Sequence, residues 1–202
     1  MGKLSGIRVI DMSRVLAGPL VGQMLADLGA EVIKVEHPKT GDEARQYGPP
    51  FRGDETEGGT AFFLAANRNK RSIAVDFSTP AGSQIIRELV QQSDVVIENF
   101  RVGTLQRYEL DYARLSANHP GLVYCSLTGF GQTGPYAERP GYDAIFQAMG
   151  GLMSSIGYPD EHPAGGPLRS GLSITDVITS LYSRPPTGCH ACRCQATHSH
   201  VP

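Results

Sequence analysis

The feature that most constrains this chain is a repeated change of hydrophobic period, in which short β-rich runs alternate with stretches whose apolar residues recur at helical spacing. Ile7-Arg8-Val9-Ile10 reads as a strand ending at Asp11. Gly18-Pro19 then opens a helix to about Gly29, with Pro19 in the first turn and Leu20, Met24, Leu25 and Leu28 on one face. Further strands read at Glu31-Val32-Ile33-Lys34-Val35, Ser72-Ile73-Ala74-Val75-Asp76, Asp94-Val95-Val96-Ile97-Glu98 and Leu122-Val123-Tyr124-Cys125-Ser126-Leu127. Between the third and fourth, Thr79-Pro80 supplies an N-cap and a first-turn proline, and Ile85, Ile86, Leu89 and Val90 an apolar stripe. Strand–helix–strand units of this kind put consecutive strands parallel. The fold class is therefore α/β, a Rossmann-like parallel sheet with helices on both faces.

Composition narrows the function classes. The 202 residues hold 18 Lys+Arg against 20 Asp+Glu, a net charge of −2 that gives no electrostatic reason to expect nucleic acid or an anionic membrane as partner. No apolar run approaches the ~18 residues that span a bilayer. Neither a signal peptide nor an Arg/Ser-rich transit peptide is visible before the first strand, so the expected compartment is the cytoplasm, or the mitochondrion in a eukaryote. The charge is unevenly spread. Residues 184–202 carry Cys189, Cys192, Cys194, His190, His198 and His200 and no acid. With Arg184 and Arg193 set aside, residues 1–183 hold 16 Lys+Arg against 20 Asp+Glu, a net −4. The expected division is residues 1–183 as the folded body and 184–202 as an atypical tail.

Two loops stand out in the body. Residues 36–60 combine Pro38, Gly41, Pro49, Pro50, Gly53, Gly58 and Gly59 with many charges, and loops of that length in compact domains are functional or disordered. Gly129-Phe130-Gly131-Gln132-Thr133-Gly134-Pro135 follows the fifth strand, on the side where open α/β sheets bind ligands. Spacing alone leaves it open whether this is a ligand loop or a glycine-rich turn. The turn after the first strand, Asp11 to Pro19, lacks a Gly-x-Gly-x-x-Gly fingerprint, and no Walker-type phosphate loop occurs. The body also has no Gly-x-Ser-x-Gly elbow, His-x-x-x-His pair or paired-metal signature, so no metal site is expected there.

Longer strings are more specific. They are Arg14-Val15-Leu16-Ala17-Gly18-Pro19, Leu25-Ala26-Asp27-Leu28-Gly29-Ala30-Glu31-Val32-Ile33-Lys34-Val35-Glu36, Gly48-Pro49-Pro50-Phe51 and Asn67 to Asp76. Asp94 to Phe100, Tyr124 to Pro135 and Arg139-Pro140-Gly141-Tyr142-Asp143 complete the set. In this order they resemble the class III CoA-transferases, the formyl-CoA and carnitine-CoA transferase family, over about residues 4–183. The wording is most similar to the succinate/glutarate branch. The resemblance implies transfer of CoA between an acyl-CoA and a free, dicarboxylic acid, with coenzyme A as substrate and no permanently bound cofactor. An aspartate attacks the thioester to give a mixed anhydride, and the returning CoA thiolate converts it to an aspartyl-CoA thioester.

By position the implied nucleophile is Asp176, in Gly171-Leu172-Ser173-Ile174-Thr175-Asp176-Val177. Read without the family, it is equally a helix N-cap or first-turn acid. The resemblance places Val15, Leu16 and Ala17 at the pantetheine or thioester end with Arg14 beside them, and His37 near the adenine. Asp76, Asn99, Phe100 and Arg107 match backbone and phosphate-side positions, although Arg107 reads equally as a solvated arginine on a short helix. Tyr142 and Asp143 fall near the reacting end. Formyl-CoA transferases commonly have Gln where this chain has Leu16, which argues against that substrate. The related 2-methylacyl-CoA racemases use the His of a Gly-His-Asp motif. Here the string is Gly141-Tyr142-Asp143, and a Tyr with a reference pKa near ~10 is a poor base for an α-carbon.

Family members run roughly twice this length and form interlocked homodimers. In this chain the helix carrying Asp176 is expected to break at Tyr182-Ser183-Arg184-Pro185-Pro186. The expectation is a truncated chain with impaired transfer and an out-of-frame or alternatively spliced tail, with a racemase-like enzyme or a non-catalytic CoA-binding fragment as the alternatives. Cys189-x-x-Cys192 with the nearby histidines keeps adventitious or genuine metal binding open as alternatives. Cys125 is expected as a buried strand thiol.

Overall fold

The computed structural model describes residues 2–48 and 59–183. The Pro49-Pro50-Phe51 string, the Pro185-Pro186 helix break and the Cys/His tail lie outside them. Among the described residues five strands, β1 (Arg8–Asp11), β2 (Glu31–Glu36), β3 (Lys70–Ala74), β4 (Val95–Glu98) and β5 (Val123–Ser126), form one sheet in the order β3-β2-β1-β4-β5. All four pairings are parallel, with Val9 opposite Val32 on one side and Val95 on the other. This is the α/β sheet that the periodicity implies. Among the described residues seven helices accompany it: α1 (Ala17–Asp27), α2 (Ala61–Asn67), α3 (Pro80–Gln91), α4 (Tyr112–Ala117), α5 (Asp143–Met149), α6 (Leu152–Ser155) and α7 (Ile174–Tyr182).

Period-2 alternation divides the core into two layers. Val9, Val32, Val95 and Ile97 pack with Val21 and Leu25 of α1. Ile10, Val35 and Val96 point the other way, onto Ile86 and Val90 of α3 and Leu115 of α4. Helices therefore cover both faces. As the Thr79-Pro80 signal predicts, Thr79 Oγ1 accepts the Gly82 N–H at 3.0 Å and Pro80 opens α3.

Several elements differ from the sequence expectation. The third strand lies two residues earlier than its apolar run, because Lys70 pairs with Val32 and its ammonium is drawn under the sheet end. The long loop contains a 3-10 turn, Glu43–Gln46, capped by Asp42, and Thr60 caps α2 through the Phe63 N–H. Cys125 is half-buried rather than buried, since β5 is an edge strand among the described residues. No described helix is long and apolar enough to cross a membrane.

Candidate active site

In a 3-2-1-4-5 sheet the chain leaves β1 toward one edge and returns to build the other, so the crevice beyond the ends of β1 and β4 is the topological switch point. A cleft of about 440 Å³ lies there. Its walls come from the segments after three strands, 14–17 after β1, 99–102 after β4 and 127–129 after β5, and from the first turns of α7.

The loop after β1 has a strained backbone. Val15 sits at φ 70°, in the left-handed region that a β-branched residue avoids. Side chains hold the loop from two sides. Asn99 accepts the Arg14 N–H through Oδ1 at 2.8 Å and donates to the Arg14 carbonyl at 2.7 Å. Asp42 Oδ1 accepts the Val15 N–H at 3.1 Å and the Ala44 N–H at 2.9 Å. Arg14 swings out over the Phe100 ring, 4.8 Å from its centroid, and pairs with Glu43 at 2.8 Å.

Beneath the loop lies a buried charge layer. Asp11 pairs with Lys70 at 2.8 Å and Lys34 pairs with Asp42 at 2.8 Å, all four side chains almost solvent-free. Lys70 also donates to the carbonyl of Pro19 and to Asn67, and Lys34 to the carbonyl of Ser13. Burial opposes ionisation of Asp11, but the two lysines and two hydrogen bonds outweigh it and hold the carboxyl below the usual range. Glu98, at the end of β4, has its carboxyl raised by burial; it accepts from Ser126 Oγ and from the Phe100 N–H, which orients the aromatic wall of the cleft.

Asp176 lies in the first turn of α7, on the cleft wall. Its carboxyl is pushed up to about 6, first by burial and then by the nearby Asp143 carboxylate. Asp143, the first residue of α5, stays on the ionised side. Burial would raise its carboxyl, yet hydrogen bonds from the Thr175 hydroxyl (2.5 Å), the Thr175 N–H (2.9 Å) and Gln147 (2.5 Å) lower it. Asp143 thus caps α7 from another helix and sets the charge felt by Asp176. Two acids in contact with opposite shifts are the arrangement that tunes one of them toward neutral pH.

Of the residues singled out from sequence, Arg14, Val15, Leu16, Ala17, Asn99, Phe100, Tyr142 and Asp176 line this one cleft. Asp143 is buried behind it. His37, Asp76 and Arg107 are not among its lining residues. His37 Nδ1 accepts from the backbone of Lys39 and Thr40, Asp76 accepts from Ser78, and Arg107 is an exposed residue of the 3-10 turn Leu105–Tyr108. Gly129 of the glycine-rich stretch reaches the cleft together with Thr128 just before it, and the Phe146 ring packs so closely that a Cβ on Gly141 would lie 2.1 Å from it. Sequence reading missed Arg101, Arg139 and Thr179 as lining residues, and also the clamp by Asp42. Only the fold brings residue 42 beside residue 15, and no local pattern marks it.

The match to known proteins accords with this geometry. Residues 4–184 match the model of CoA-transferase family III, and the chain belongs to that family. It is 53% identical to the succinate–glutarate CoA-transferase of Agrobacterium fabrum over 89% of this chain and 44% of that protein. To the human succinyl-CoA:glutarate CoA-transferase it is 47% identical, over 89% of this chain and 39% of that protein. The crystal structure of a CAIB/BAIF family protein from Brucella suis superposes with a TM-score of 0.83 at 53% identity, covering 89% of this chain and 46% of that one. The chain spans less than half the length of the relatives it matches.

Proposed function

We propose that this chain carries the nucleophilic centre of CoA transfer between an acyl-CoA and a free dicarboxylic acid, with Asp176 as the nucleophile. The observation that carries the proposal is a half-buried carboxyl shifted to about 6, on the wall of the switch-point cleft of a family III sheet. Relatives named for succinate, glutarate, citramalate and malate support the dicarboxylic substrate class.

Asp176 Oδ attacks the thioester carbonyl carbon. The C–S bond breaks, the electron pair leaves on sulfur as CoA thiolate, and an aspartyl–acyl anhydride remains. The thiolate then attacks the aspartyl carbonyl, the C–O bond breaks, and the donor acid departs as a carboxylate, leaving an aspartyl-CoA thioester. The acceptor carboxylate reverses these two steps with its own oxygen. Each step exchanges a thiolate and a carboxylate at an acyl carbon, and the full cycle exchanges one carboxylate for another, so no net proton or electron is required. Ionisation near pH 6 leaves Asp176 charged at neutral pH yet more basic than an ordinary aspartate, and a partly dry wall slows hydrolysis of the anhydride.

In this reading Val15, Leu16 and Ala17 meet the thioester end and Tyr142 and Asp143 the reacting end. Asn99 and Phe100 carry the adjoining wall, and His37, Asp76 and Arg107 serve the nucleotide end beyond the cleft. Residues 1–183 form the N-terminal part of the family's large domain, and the working assembly is a homodimer. The test is incubation with succinyl-CoA, followed by glutarate, and intact and peptide mass spectrometry. A CoA or succinyl adduct on the peptide holding Asp176, absent from Asp176→Ala, is the expected result. Wild-type protein that stays unmodified while binding succinyl-CoA would overturn the proposal.

A further inference from the structure

We propose that Asp42 is a positioning residue, which holds Val15 in its left-handed conformation and thereby fixes the wall of the cleft. Three non-glycine residues among those described have positive φ: Val15, Asn69 and Glu109. Val15 alone is β-branched, the side-chain type for which that conformation is most unfavourable, and it alone lines the cleft. A strained conformation persists where its surroundings over-determine it.

The surroundings of Val15 do so. Asp42 takes its N–H, and Asn99 clasps both backbone polar groups of Arg14 next to it. Asp42 cannot turn away. Its Oδ2 is 2.8 Å from the buried Lys34 ammonium, its Oδ1 also accepts the Ala44 N–H, and its own N–H donates to Glu36 at 3.1 Å. Glu36 is in turn gripped by Arg45 Nε and Nη2 at 2.6 and 2.8 Å and by Ser72 at 2.6 Å. The chain of contacts runs from the far strand of the sheet to a backbone amide in the cleft wall. Asp42 itself is not among the lining residues, so it acts through Val15. Its bearing on chemistry rests on the reading of Asp176 as the nucleophile; its hold on the backbone does not.

A double-mutant cycle on the full 202-residue chain separates these. Glycine accepts positive φ freely, so Val15→Gly should raise the urea midpoint where Asp42 enforces the conformation. In the Asp42→Ala background the loop relaxes, and Val15→Gly should lower the midpoint through chain entropy. Equal shifts in both backgrounds would overturn the proposal, whatever the activity. The second readout is the rate of adduct formation at saturating succinyl-CoA. Asp42→Ala should slow it about tenfold with Val15 present and less than threefold alongside Val15→Gly, because a residue needed only for stability slows both equally. A wild-type protein with no adduct would defeat the functional reading and leave the stability cycle to decide the backbone claim. Should Asp42→Ala not fold, since it strands Lys34, the charge-balanced pair Lys34→Met with Asp42→Ala makes the same cycle without the stranded ammonium. Additivity there would likewise overturn the clamp.

Discussion

Ser180 Oγ lies 2.7 Å from the carbonyl oxygen of Ala17 and 2.8 Å from that of Asp176, so one buried hydroxyl ties the cleft wall to the helix bearing the carboxylate. The two segments are more than 150 residues apart in sequence. A hydroxyl has one proton, shared here between a carbonyl of its own helix and one at the start of α1. Replacing Ser180 by Ala removes the side-chain hydrogen bond that joins α7 to Ala17, at a cost of about 1 kcal/mol. Urea denaturation should show that loss. Adduct formation on Asp176 should slow by more than stability explains, since the loop and the carboxylate lose their common anchor.

Asp176 should be a residue that destabilises the protein it serves. A carboxyl raised to about 6 means the folded state favours the protonated form, so stability falls as pH rises from about 4 through about 6. After discounting for its partial exposure, the effect at pH 7 is about 1 kcal/mol. Asp176→Asn is expected to raise the melting temperature at pH 7 and to leave it unchanged at pH 4, while abolishing the adduct. A variant less stable than wild type at pH 7 would show that the carboxylate is structural.

Asp143 acts on the same titration. Its charge is the second cause of the Asp176 shift, after burial. Asp143→Asn keeps an oxygen for the Thr175 N–H and removes the charge, so the Asp176 carboxyl should fall toward the ordinary range. The acid limb of the adduct-forming rate should then move to lower pH, read from single-turnover rates between pH 4 and 8. An unmoved limb would mean burial alone sets the value.

The fold was legible because its signals are local. Strand period, the Thr79-Pro80 cap and the apolar stripe of α3 each sit within a dozen residues. The family strings likewise put Arg14 to Ala17, Asn99, Phe100 and Asp176 in one cleft, since each string is itself a strand end or helix start. The charge layer was not legible. Lys34 falls in a strand whose alternation reads as ordinary, Lys70 lies ahead of the apolar run that marks the third strand, and only the tertiary fold brings them to Asp42 and Asp11. Short helices such as α4 and α6 are too brief for a periodicity, and their positions follow from tertiary packing.

The Glu36–Arg45 pair should govern acid stability. Burial alone would raise the Glu36 carboxyl, but the Arg45 fork and Ser72 bring it down to about 2. A depressed carboxyl contributes stability that is full above about 4.5 and is lost as pH falls toward 2. Discounted for solvent screening, this is about 1–2 kcal/mol. Arg45 also stacks 3.8 Å from the Phe63 ring centroid, which keeps it in place. Glu36→Gln should flatten the stability–pH curve between 4.5 and 2 while lowering the plateau at pH 7. An unchanged slope would assign acid sensitivity elsewhere.

Gly22, inside α1, offers a test in which two effects oppose each other. Ala for Gly in a helix interior ordinarily stabilises by about 1 kcal/mol. Here a Cβ would lie 2.6 Å from Asp11 Oδ2 and 3.2 Å from Lys70 Nζ. Asp11 is short, wholly buried and already fixed by Ser13 and Lys70, so it cannot step aside cheaply. Breaking a buried pair by stranding one partner costs about 3–5 kcal/mol, and a partial displacement costs a share of that. The clash should win by about 2 kcal/mol, lowering the melting temperature by roughly 4–8 °C for a chain of this size. Gly22→Ala that melts higher than wild type would mean helix α1 can slide off the charge layer, and that the layer does not fix the floor of the cleft.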